Sequence, residues 1–105
     1  MKRSAAIAFL ALIPLGAAAD AQSPQELEGL RHFNQSCRVC HAKPQLSSPQ
    51  YAPVLSRVSL GGNDEALRAF IANGSPKMPG FRYHFKPAEI DAIVAYLKTL
   101  PQPSD

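Results

Sequence analysis

Tryptophan is absent from the 105 residues, cysteine occurs only at positions 37 and 40, and methionine only at 1 and 78. Two cysteines that close so short a loop constrain little of the unfolded chain, which excludes a disulfide-stapled fold. No stretch reaches the ~20 apolar residues that a bilayer-spanning helix needs, so no integral membrane segment is expected in the mature chain. No segment alternates convincingly between apolar and polar residues, which argues against a sheet protein. Charge is thin and balanced, with 11 Lys and Arg against 8 Asp and Glu and a net charge of +3. A nucleic-acid partner would need a concentrated basic stripe, and there is none.

What is present begins with a leader pattern. Lys2 and Arg3 form a short basic head, Ala5 to Leu15 is apolar apart from Pro14, and small residues follow through Ala21. This is the three-part pattern of a secretory signal peptide, with small-x-small cleavage sites after Ala19 and Ala21. Taking the second gives a cleaved leader at 1–21 and a single mature domain at 22–105 in the bacterial periplasm. A domain of that size buries only roughly 60 to 65% of its surface, so something beyond its own side chains is expected to complete the core.

Three helices can be read from caps and spacing. Ser23, Pro24 and Glu26 make a capping box with proline in the first turn. Leu27, Leu30 and Phe33 follow as an apolar stripe, in a helix expected to run to about Ser36. Asn63 or Asp64 caps a second helix with Leu67, Phe70 and Ile71 as its buried face, and Gly74 stops it. Pro87 opens a third, with Ile90, Ile93, Val94, Leu97 and Leu100 facing inward and Pro101 as its end. Between them, residues 42–58 and 75–85 are proline-rich and aperiodic. The expected fold class is all-α, with loops long enough that wrapping a cofactor would account for them.

The chemistry is carried by Cys37-Arg38-Val39-Cys40-His41, which is C-x-x-C-H, the haem c attachment signature. Two thiols three positions apart on one helical turn can add to the two vinyl groups on one haem edge, and the next residue offers an imidazole to the iron. Two other uses compete. A thioredoxin-like redox pair would want a βαβ setting, and a zinc site would need four ligands, with Cys40 and His41 poorly placed to share one ion. Removal of the leader leaves Met78 as the sole methionine, in a loop between Lys77 and Pro79, and this makes it the leading candidate for second axial ligand. His84 is the alternative, as a distal ligand of a bis-histidine haem or as a solvated loop residue. His32, five residues before Cys37, is on the wrong side.

With these residues in view the chain resembles a class I c-type cytochrome over essentially its whole mature length. Gly29 and Phe33 stand eight and four residues before Cys37, as in that family, and Ile93-Val94-Ala95-Tyr96-Leu97-Lys98 is similar to its C-terminal helix. Ala52-Pro53-Val54-Leu55 occupies the place of the family's Gly-Pro-x-Leu. The resemblance implies a cytochrome c fold of three main helices and irregular loops around one covalent haem, with Tyr96 and Leu97 meeting Gly29 and Phe33. It implies that the Pro53 carbonyl orients the other ring nitrogen of His41, that Leu55 packs on the haem face, and that Lys77-Met78-Pro79 is the ligand loop. Ala52 departs from the family's glycine. The missing tryptophan removes a common propionate partner, leaving Tyr51, Arg57 and Arg82 as candidates.

Haem c, one per chain, with His41 and Met78 filling both axial positions, implies single-electron transfer rather than catalysis. The expected role is a monomeric periplasmic carrier between redox partner proteins: a dehydrogenase, an oxidase or another cytochrome. Arg38, Lys43 and Lys77 would lie near the docking edge. The alternatives are a haem subunit held on one enzyme, or a haem enzyme or gas sensor with a displaceable Met78.

Overall fold

The computed structural model describes Ala11, residues 21–42 and residues 49–102. Most of the leader expected at 1–21, and Lys43, lie outside the described residues. Helix α1 spans Pro24–Ser36. Its start is closed reciprocally: the Glu26 amide donates to Ser23 Oγ at 3.2 Å, and the Ser23 amide donates to the Glu26 carboxylate at 3.0 Å. Two of the amides that a helix start leaves unpaired are thereby satisfied.

The buried face of α1 is Gly29 and Phe33, which corrects the expected stripe, because Leu27 is 46% exposed. The crossing with the last helix decides this. A Cβ at Gly29 would collide with the Ala92 carbonyl and lie 2.9 Å from Tyr96 Cβ, so the two helices meet backbone to backbone there. Leu27 is two residues from that contact, about 200° around the helix, and so faces away. Phe33, one turn after Gly29, packs against the Tyr96 ring at 5.3 Å between centroids.

Cys37 breaks the helix with φ −109° and ψ −35°, and a single further turn, α2 (Arg38–His41), follows. The amides of Cys40 and His41 both donate to the Cys37 carbonyl, at 3.2 and 3.0 Å. A 3₁₀ turn at Ser59–Gly62 places Leu60 at φ 50°, with Gly61 and Gly62 also at positive φ. Asn63 then caps α3 (Asp64–Asn73) by accepting the Ala66 amide at 2.9 Å. Leu67 and Ile71 are buried, whereas Phe70 is 41% exposed, which corrects the buried face expected of this helix. Gly74, at φ 70°, ends it.

Helix α4 (Pro87–Leu97) has the Lys86 amide donating to Glu89 Oε1 at 2.9 Å. It supplies Ile90, Ala92, Ile93, Val94 and Leu97 to the core, beside Phe33, Cys37, Leu67, Ile71 and Phe85. It stops at Leu97 rather than running to Pro101. The Leu100 amide pairs three residues back with Leu97, and Thr99 Oγ caps the Tyr96 carbonyl at 2.6 Å. No strand forms among the described residues beyond the isolated pairing of Ser75 with Met78.

Because the atoms facing Gly29 are backbone, they cannot swing aside. Gly29→Ala should therefore destabilise the protein by about 1–3 kcal/mol, despite the helix propensity that alanine brings. Thermal unfolding followed by circular dichroism checks it, with an expected fall in Tm of several degrees.

Candidate cofactor site

Three segments enclose one apolar cleft. The turn α2 brings Cys37, Cys40 and His41, the loop at 49–58 brings Pro53, Val54 and Leu55, and the loop after α3 brings Met78. The cleft has two lobes, of about 280 and 340 Å³. Cys37, His41, Pro53, Phe70 and Met78 line both, while Leu55 lines the first and Cys40 the second. Such volumes and apolar walls suit a cofactor.

The His41 ring is held by the loop at 49–58. Its Nδ1 lies 2.8 Å from the Pro53 carbonyl oxygen, and since a carbonyl only accepts, Nδ1 carries the proton. Nε2 is left with its lone pair, the form that binds metal. Two further bonds fasten the same loop to α2. The Ala52 amide donates to the Cys40 carbonyl at 3.3 Å, and the Gln50 side-chain amide donates to the His41 carbonyl at 3.2 Å.

Met78 sits in a tightly drawn loop. The Ser75 amide donates to the Met78 carbonyl at 2.9 Å and the Met78 amide returns a bond to Ser75 at 3.2 Å. The Phe81 and Arg82 amides then tie the chain back to the end of α3 through the carbonyls of Ile71 and Ala72. Gly74 and Gly80 allow the close passage: a Cβ at either would lie within 2.8 Å of backbone atoms. The Tyr51 hydroxyl reaches the Lys77 carbonyl at 3.4 Å and links the two loops across the mouth.

Both thiols are free. Burial, with a smaller contribution from Cys40, pushes the Cys37 thiol up to about 11. A redox-active Cys-x-x-Cys nucleophile is shifted the opposite way, so this direction lends no support to thiol-disulfide exchange.

The other candidates stand elsewhere. His84 is exposed and packs edge-on against Phe85 at 4.6 Å, lining neither lobe. His32 lies beside Glu28 and Glu89. Of the propionate candidates only Tyr51 lines the cleft. Arg82 borders a different cavity with Arg68 and Asp91, and Arg57 is an exposed residue outside both lobes. Sequence reasoning did not assign Val54, Leu60 and Phe70 to the site, yet all three line the first lobe and are exposed. Apolar side chains held open toward one cleft mark a site for an apolar ligand. Together with two adjacent thiols, an oriented imidazole and a thioether, this lining fits a covalently tethered porphyrin.

The model of the family described as cytochrome c oxidase, cbb3-type, subunit III matches residues 24–97. The chain belongs to the class I c-type cytochromes. This cytochrome is 27% identical over 92 residues to cytochrome c6 of Nostoc sp., across 84% of this chain and 82% of that relative. Cytochrome c6 from the diatom Phaeodactylum tricornutum shares the fold, with a TM-score of 0.55 and 21% identity over 70% of this chain and 90% of the other. A point mutant of Kustc0563 matches with a TM-score of 0.52 and 25% identity, over 69% of this chain and 96% of that one. As a class I cytochrome the chain carries haem c with its iron and serves electron transfer rather than catalysis.

Proposed function

We propose that this cytochrome is a periplasmic single-electron carrier, exported by a leader cut after Ala21, with thioethers at Cys37 and Cys40 and axial ligation by His41 and Met78. The observation that supports it most is that Cys37, His41 and Met78 share the lining of both lobes of one cleft, while the Pro53 carbonyl fixes the His41 ring at 2.8 Å. When bound, the haem supplies a one-electron ferric/ferrous couple. Pro53 holds His41 in the tautomer that would ligate through Nε2. Met78 contributes a thioether, which favours the reduced state and raises the potential above that of a bis-histidine haem. Leu55, Val54, Leu60 and Phe70 exclude water from the porphyrin faces.

The lining of both lobes contains no carboxylate and no histidine besides His41. The commonest distal acid-base partners of oxygen or peroxide chemistry, histidine and carboxylate, are therefore missing from the described walls, and this favours a carrier. Lys77, exposed on the wall of the second lobe, would give a partner a positive contact at the rim, whose steering weakens with salt, while Arg38, also exposed, borders a separate cavity beside His41. The family description as an oxidase subunit supports a second reading, in which the same carrier is held on one enzyme.

Spectra of periplasmic protein from a host competent for haem maturation test this. A low-spin spectrum in both redox states, unchanged by carbon monoxide, is the expected result. A high-spin ferrous form that binds carbon monoxide readily would replace the carrier with the haem enzyme or sensor.

A further inference from the structure

Outside the cleft, where α1 crosses the start of α4, His32 meets two carboxylates from two different helices. Its Nε2 lies 3.5 Å from Glu28 Oε1 and 3.4 Å from Glu89 Oε2, and the three donor atoms all fall within 4.8 Å of one another. That nitrogen is fully buried and has no hydrogen-bond partner among the described residues, and the side chain as a whole is only 16% exposed. A buried ring nitrogen facing two oxygens without bonding either calls for a reason.

We propose that Glu28, His32 and Glu89 form a binding site for a divalent zinc-class ion, separate from the haem. The spacing is the first argument. Ligand atoms at about 2.0–2.1 Å from a tetrahedral zinc are about 3.3 Å apart, which the two imidazole-carboxylate distances approach and which is long for a hydrogen bond. Charge is the second, since one neutral imidazole and two carboxylates balance a dication. Orientation is the third. The His32 ring is fixed edge-on against Phe85 at 4.9 Å, and Glu89 Oε1 is held by the Lys86 amide at 2.9 Å, which leaves Oε2 turned toward His32. Glu28 and His32 are one turn apart on α1 and so share a face. The donor set, one nitrogen and two oxygens with a fourth position for water, suits zinc better than calcium, which takes six to eight oxygens.

An ion here would pin α1 to the first turn of α4. Calorimetric titration of the haem-loaded protein with zinc chloride should show one ion per chain, with the visible spectrum unchanged and no competition from excess calcium. Glu28→Gln, Glu89→Gln and His32→Gln should each weaken binding more than tenfold. Glutamine at 89 keeps an acceptor for the Lys86 amide, so that variant retains its helix start. At zinc a hundredfold above Kd, Tm should rise by more than about 5 °C in the native sequence and not in Glu28→Gln. Zinc binding that survives all three substitutions, or no binding below millimolar zinc, would overturn the proposal. So would a Tm that rises equally in Glu28→Gln.

Discussion

Replacing Met78 with histidine should lower the midpoint potential by more than about 0.1 V, within the roughly 0.8 V span that axial ligands govern. For a one-electron couple that is about 2.3 kcal/mol of lost preference for the reduced state. The loop should survive the change, because the bonds that pair Ser75 with Met78, Phe81 with Ile71 and Arg82 with Ala72 are made between backbone atoms. Met78→Ala goes further. With no ligand from the loop, the ferrous protein should become high-spin and take up carbon monoxide. Potentiometric titration of both variants against the native sequence provides the check. A potential that does not move in Met78→His would show that the thioether is not bound to iron.

Loss of both attachment thiols should cost the protein its fold as well as its colour. Val54, Leu60 and Phe70 stand about half exposed around the cleft, and covering each is worth about 1 kcal/mol. Several kcal/mol is a large share of the ~5–15 kcal/mol that separates folded from unfolded chains. The Cys37→Ala, Cys40→Ala double variant is therefore expected to be largely disordered by circular dichroism. Native-sequence chain made without haem maturation should look the same, which separates the effect of missing haem from the small cavity that alanine leaves at buried Cys37. A helical, cooperatively melting variant without haem would show that the polypeptide completes its own core.

The parts of this molecule that are legible in the sequence are those in which local chemistry allows few alternatives. The Ser23 capping box, the Asn63 cap and the Gly74 stop are set by backbone groups within a few residues, and each stands as read. The spacing of Cys37, Cys40 and His41 can be read in the sequence because two thiols and an imidazole would have to be so spaced to reach one porphyrin, and the structure places all three on the walls of one cleft. Errors occur where the answer depends on what lies across the chain. Periodicity places Leu27 with Leu30 and Phe33, but the close approach at Gly29 turns the contact face away from Leu27. Phe70 has the spacing of a core residue on α3, yet it faces the cleft, and no pattern distinguishes a side chain that packs on protein from one that awaits a cofactor. Arg82 looks available to propionates until the Gly74 and Gly80 contacts route its loop along the end of α3 to another cavity. The one-turn helix at Arg38–His41 is too short to have a period.

The most direct test is the weak methionine-to-iron absorption band of the oxidised protein, recorded for the native sequence and for Met78→Ala after purification from a haem-maturing host. The band should be present in the first and absent in the second, with pigment covalently retained in both. Colourless native protein with two titratable thiols, or a coloured one whose band persists in Met78→Ala, would contradict ligation by Met78 of a haem tethered at Cys37 and Cys40.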